Sequence, residues 1–74
     1  MPVTVLDVTG LSCPLPVLRA KKAIKEVPEG DMLQVMATDP GAVKDFEVFC
    51  RQTGNDLLSW REEDGVYIFE IRRN

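Results

Sequence analysis

The sequence has no histidine. That absence removes the commonest general base, every Ser/His or Cys/His catalytic pair and most zinc sites. Cysteine is scarce, and the two present, Cys13 and Cys50, are too few for a disulfide scaffold and too far apart for a Cys-x-x-Cys redox pair or metal clip. No uncharged run approaches the roughly 18 apolar residues of a membrane span. Met1-Pro2-Val3-Thr4 lacks the basic-then-apolar opening of a secretory leader, so a cytoplasmic location is expected. Basic residues number 9 against 12 acidic ones, and a net charge of −3 argues against binding a phosphate backbone. With 74 residues the chain is expected to form one domain over 1–74. A chain of this size hides only about 60% of its unfolded surface from water, which leaves no room for an enclosed substrate pocket.

What is present is a regular alternation of elements. Val3 to Val8 is β-branched and aliphatic and reads as a strand, broken by Thr9-Gly10-Leu11-Ser12. Pro14 suits the first position of a helix whose apolar stripe is Val17, Ala20, Ala23, Ile24 and Val27, stopped by Pro28 and Gly30. From Asp31 to Thr38, Leu33, Val35 and Ala37 alternate with polar positions, as in a strand with one buried face. Asp39-Pro40-Gly41 carries a helix-start signal. The second helix gathers Ala42, Val43, Phe46, Phe49, Cys50 and Thr53 on one face and ends at Gly54. Strands at about 56–61 and 66–72 follow, joined through Glu63-Asp64-Gly65, a hairpin signal. The order β-α-β-α-β-β, with a right-handed first crossover, predicts a two-layer α/β sandwich. Its mixed four-stranded sheet carries both helices on one face, since a sheet covered on both sides would lack the alternation.

The chemistry concentrates at Cys13-Pro14-Leu15-Pro16. Cys13 falls where the N-cap of the first helix is expected, facing unpaired N–H groups and the positive end of the helix dipole. The two prolines lack an N–H and fix the backbone, leaving Leu15 and Val17 as free amide donors. A cysteine so placed can have its thiol pKa lowered to about 3.5–7.5, which activates it without a base. The competing reading is a small, inert, packed cysteine. Cys50 lies on an apolar stripe and reads as core. Asp39 reads mainly as an N-cap; if the first two strands are parallel neighbours it also approaches Cys13, where its charge opposes thiolate formation.

Charge is unevenly spread. Between Pro14 and Val27, Arg19, Lys21, Lys22 and Lys25 face only Glu26, and Leu18 lies among the lysines on the wheel. This is either an ordinary solvated face or a docking surface for an acidic partner.

Gly10-Leu11-Ser12-Cys13-Pro14-Leu15-Pro16, followed by Leu18-Arg19-Ala20-Lys21-Lys22-Ala23, resembles the Cys-Pro-x-Pro signature of the TusA/SirA sulfur-carrier family. Thr38-Asp39-Pro40-Gly41-Ala42-Val43-Lys44-Asp45-Phe46 and Phe49-Cys50-Arg51-Gln52-Thr53-Gly54 are similar to the same family. The resemblance implies the β-α-β-α-β-β sandwich, similar to the C-terminal domain of bacterial translation initiation factor three. It implies that Cys13 carries sulfane sulfur as a transient persulfide, with no resident cofactor or metal and with Gly10, Pro14, Leu15 and Pro16 positioning it. The implied partners are a sulfur donor (a cysteine desulfurase or rhodanese-like sulfurtransferase) and an acceptor protein with a receiving cysteine. Leu15, Leu18, Arg19, Lys21, Lys22 and Lys25 are the expected docking residues. The implied pathways are tRNA thiolation, sulfur oxidation or molybdenum-cofactor metabolism, and apolar Leu15, where relatives vary, sets this chain apart from members with an acidic residue there. Two other classes remain open: a regulatory or nucleic-acid-binding module, and an interaction domain in which Cys13 only packs.

Overall fold

Alternation in the second strand decides the architecture. Leu33, Val35 and Ala37 are buried while Met32, Gln34 and Met36 between them are half-buried, so only one face of the sheet is fully covered. In the computed structural model, which describes residues 3–74, the elements are β1 (Val3–Val8), α1 (Leu15–Ile24), β2 (Met32–Ala37), α2 (Ala42–Thr53), β3 (Asp56–Glu63) and β4 (Val66–Arg72). Met1 and Pro2, on which the leader reading draws, lie outside the described residues.

The sheet order is β1-β2-β4-β3, with β1 and β2 parallel and the other pairs antiparallel. α1 packs on β1 and β2, α2 on β3 and β4, and the helices touch each other. Their buried residues Ala20, Ile24, Phe46, Phe49 and Cys50 join Val8, Leu33, Val35, Phe69 and Ile71 in one core. Those strand positions share one face, so both helices cover it and the expected mixed two-layer sandwich is what forms. At the centre the rings of Phe46 and Phe69 lie 4.7 Å apart. Burying a side chain of this kind contributes about 1.5–3 kcal/mol.

Several boundaries differ from expectation. α1 begins at Leu15 with Pro14 as N-cap, one residue later than the Pro14 start read from the sequence, and ends at Ile24 with Lys25 as C-cap. The expected continuation to Val27 is replaced by a tight turn in which Glu26 and Val27 N–H groups bond the carbonyls of Ala23 and Ile24. Arg73 stabilises that turn by donating from Nη1 to the carbonyl oxygens of Val27 at 2.5 Å and Lys25 at 3.2 Å. Val27 remains fully buried, so the stripe is right although the helix is shorter. β3 runs two residues further than 61, because the Asp64-Gly65 turn, with φ of 51° and 82°, keeps the strands paired to Glu63 and Val66. Thr53 is exposed and donates its hydroxyl to the Phe49 carbonyl, so it does not belong to the buried face of α2.

The parallel pair positions the site. Val8 aligns with Ala37, so β1 and β2 end side by side and the loops leading to α1 and α2 leave the same edge of the sheet. At Gly10 the chain takes a φ of 81°, open to glycine at little cost, and its N–H donates to Thr38 Oγ1 at 2.8 Å across the two loops.

Candidate functional site

Cys13 is an exposed free thiol in the loop before α1, not the N-cap of that helix. The peptide bond from Cys13 to Pro14 is cis, and Pro16 is buried in the first turn, anchoring the helix start to the core. The expected supply of free amides is smaller than the sequence suggests. The Leu15 N–H is taken by the Ser12 carbonyl at 2.9 Å, and Pro14 and Pro16 have none.

Two carboxylates from the other half of the chain meet the cysteine. Asp39 Oδ2 accepts the Cys13 backbone N–H at 2.7 Å while its Oδ1 accepts the Gly41 N–H at 3.3 Å. Asp39 therefore is not the N-cap of α2, a position held by Gly41; it ties the two loops together. Asp45, in the first turn of α2, accepts the Cys13 thiol itself, with Sγ to Oδ2 at 2.6 Å. This hydrogen bond, then the partial loss of water, then the negative charges of Asp45 and Asp39, hold the Cys13 thiol above its ordinary pKa. The expected lowering by the helix dipole is overturned: two nearby carboxylates outweigh a terminus whose amides are partly used or missing. Asp39 acts as the sequence reading allowed. Asp45 was missed, although an acidic residue in the first turn of the second helix is the one that a parallel strand pair brings toward the first loop.

Beside the thiol lies an open cavity of about 270 Å³ between the helices, with Val17 and Phe49 among its apolar lining and Lys21 and Lys44 among its charged residues. Of the expected docking residues, Lys21 alone lines this cavity. Arg19 and Lys22 flank a separate depression with Leu6 and Glu26, and Lys25 joins Lys21 and Arg73 around a third. Leu15 and Leu18 are 45% and 50% exposed, apolar surface on the helix that follows the cysteine loop. Lys44 was not singled out from the sequence. Cys50 is 3% exposed, and burial followed by the charge of Asp56 pushes its thiol up to about 11, in keeping with a core residue.

Fold and site together define a small two-layer α/β domain that presents one exposed thiol where paired strand-to-helix loops converge. The sequence profile of sulfurtransferase TusA matches residues 4–73, and the chain belongs to the TusA family of sulfur carriers. A protein of Neisseria meningitidis serogroup A, provisionally named a sulfur carrier, is 60% identical over 67 residues, covering 90% of each chain. The sulfur carrier protein TusA of Allochromatium vinosum is 52% identical over 69 residues, covering 93% of this chain and 91% of that one. A SirA-like protein of Desulfitobacterium hafniense has a crystal structure that superimposes with a TM-score of 0.83 at 29% identity, covering 96% of both chains. The family read from the Cys-Pro-x-Pro segment is thus borne out. Among the described residues no helix is long and apolar enough to cross a membrane.

Proposed function

We propose that Cys13 accepts sulfane sulfur as a persulfide from a donor protein and passes it to a cysteine on an acceptor protein. The observation that supports this is the exposed Cys13 thiol on a core-anchored loop beside an open cavity, in a chain with no histidine to serve a hydrolytic mechanism. In the loading step the Cys13 sulfur attacks the outer sulfur of the donor persulfide. A new S–S bond forms as the donor's S–S bond breaks, and the proton lost by Cys13 ends on the departing donor sulfur. One S–S bond replaces another, so no external oxidant or resident cofactor is required.

Donor proteins of the cysteine desulfurase or rhodanese-like type would dock on the exposed first helix, with Leu15 and Leu18 as apolar contacts and Lys21 as the cation of that helix that lines the cavity beside the sulfur. Arg19, Lys22 and Lys25 would extend that surface away from the cavity. A cytoplasmic relay serving tRNA thiolation, sulfur oxidation or molybdenum-cofactor metabolism suits a domain whose two cysteines are both free thiols.

Mass spectrometry after incubation with thiosulfate plus a rhodanese tests the proposal. The expected result is an adduct of one sulfur atom's mass on Cys13, lost on reduction and absent from Cys13→Ser. Absence of the adduct from the wild type, or its appearance on Cys50, would overturn it. A Cys13→Ser variant with full activity in cells would favour a regulatory module instead.

A further inference from the structure

We infer that Asp45 makes Cys13 respond to its own loading state, holding the empty thiol and turning out the loaded persulfide. This rests on the persulfide reading above and assigns a positioning residue to it.

The geometry gives the two states opposite contacts. An ionised carboxylate only accepts hydrogen bonds, and Asp45 accepts the Cys13 S–H at 2.6 Å. The empty carrier is therefore seated against α2 by a bond that needs its proton. Loading adds a second sulfur, and persulfides are more acidic than thiols. At neutral pH the loaded group is an anion with no proton to donate, set against the carboxylate that held its precursor. Asp45 then repels the group it had bound.

The surrounding charges act in the same sense. Asp39, from the loop before α2, keeps its carboxylate on the backbone N–H groups of Cys13 and Gly41 and adds to the repulsion. Lys21 on α1 and Lys44 on α2 line the adjoining cavity, whose wall also includes Asp45, and offer the persulfide anion a counter-charge there. The loading step is the balanced exchange already given: the donor's S–S bond breaks, the Cys13 S–S bond forms, and the Cys13 proton leaves with the donor thiol. What Asp45 adds is direction. The empty sulfur is held as a thiol with little thiolate available to attack at neutral pH, and the loaded sulfur is exposed for transfer.

Asp45→Asn tests both halves. Alkylation of the unloaded protein by iodoacetamide across the neutral-to-alkaline range should show its midpoint about one pH unit lower. The rate at neutral pH should rise about threefold, because the gain in thiolate is partly offset by its weaker nucleophilicity. On the loaded protein, removal of the outer sulfur by cyanide should slow about threefold, because the amide can donate to the persulfide and retain it. Asp45→Ala, which suits a helix better still, should lower the alkylation midpoint as well and covers the case in which Asn perturbs folding. A purely helical role for Asp45 would change melting temperature without moving the alkylation midpoint. An unmoved or raised midpoint, or both rates changing in the same direction, overturns the inference. If the wild type never takes sulfur, the carrier reading and the release half fall together, while the alkylation profile still decides whether Asp45 holds the thiol.

Discussion

The Asp39 carboxylate accepts the backbone N–H of Cys13 at 2.7 Å across 26 positions of sequence, so the reactive segment is fastened to the loop before α2 as well as to its own helix. The same side chain serves the Gly41 N–H. Asp39→Ala leaves both donors without a partner and should destabilise the domain by about 1–2 kcal/mol, read from urea unfolding followed by Trp60 fluorescence. Asp39→Asn should recover part of that loss. It should also lower the pH midpoint of Cys13 alkylation, by less than Asp45→Asn does, because Asp45 exerts the larger upward pull on the thiol.

Arg73 closes the end of α1 from a distant part of the chain, through the carbonyls of Lys25 and Val27. A cation at a helix C-terminus also complements its dipole. Arg73→Met should cost about 1–2 kcal/mol. The Glu26 and Val27 amides should lose more hydrogen-exchange protection than the amides of β2, and equal loss throughout would show that Arg73 has no local role.

Cys50 sets an alkaline limit. Its thiol is pushed from the ordinary 9.0 to about 11, first by burial and then by Asp56. The folded state holds this proton more tightly than the unfolded chain. The associated stability is therefore complete below about pH 9 and is lost as pH rises toward 11. Two pKa units correspond to about 2–3 kcal/mol. Cys50→Ala should flatten this limb of the unfolding free energy against pH. A limb that survives the substitution would assign it to other groups.

The basic residues of α1 should separate in a transfer assay. Lys21→Glu should slow sulfur uptake from a protein donor about tenfold at low salt, with the difference shrinking as salt is raised. Lys22→Glu should have an effect of about twofold or less, because Lys22 flanks a different depression from the one beside Cys13. Equal effects would show that the donor reads the whole helix face.

Much of this was legible in the chain. The alternation of Leu33, Val35 and Ala37, the stripes of both helices and the Asp64-Gly65 turn are local periodicities, and they led directly to the sheet and its one-sided cover. The Cys-Pro-x-Pro segment located the thiol. Its electrostatics were legible only in part: a parallel strand pair already brought the Asp39 charge toward Cys13, but the contact with Asp45 depends on how the loop packs against α2. A helix start beside Cys13 argues for a thiolate, and only the parallel register of Val8 with Ala37 brings Asp39 and Asp45 to bear against it. The early end of α1 escaped for the same reason: it depends on Arg73, near the far end of the chain. The division of Arg19, Lys21 and Lys22 among separate depressions follows from where α2 and β1 lie, which a helical wheel cannot contain.

The clasp of Cys13 by Asp45 and Asp39 exists only while the two loops are assembled. An unfolded or partly opened chain carries an ordinary thiol, and the native chain carries a muted one. Folding thus keeps this thiol protonated to higher pH than the unfolded chain does. Cys13 reactivity accordingly reports conformational integrity: the damaged molecules in a population should be trapped first as mixed disulfides, leaving the intact carriers reduced.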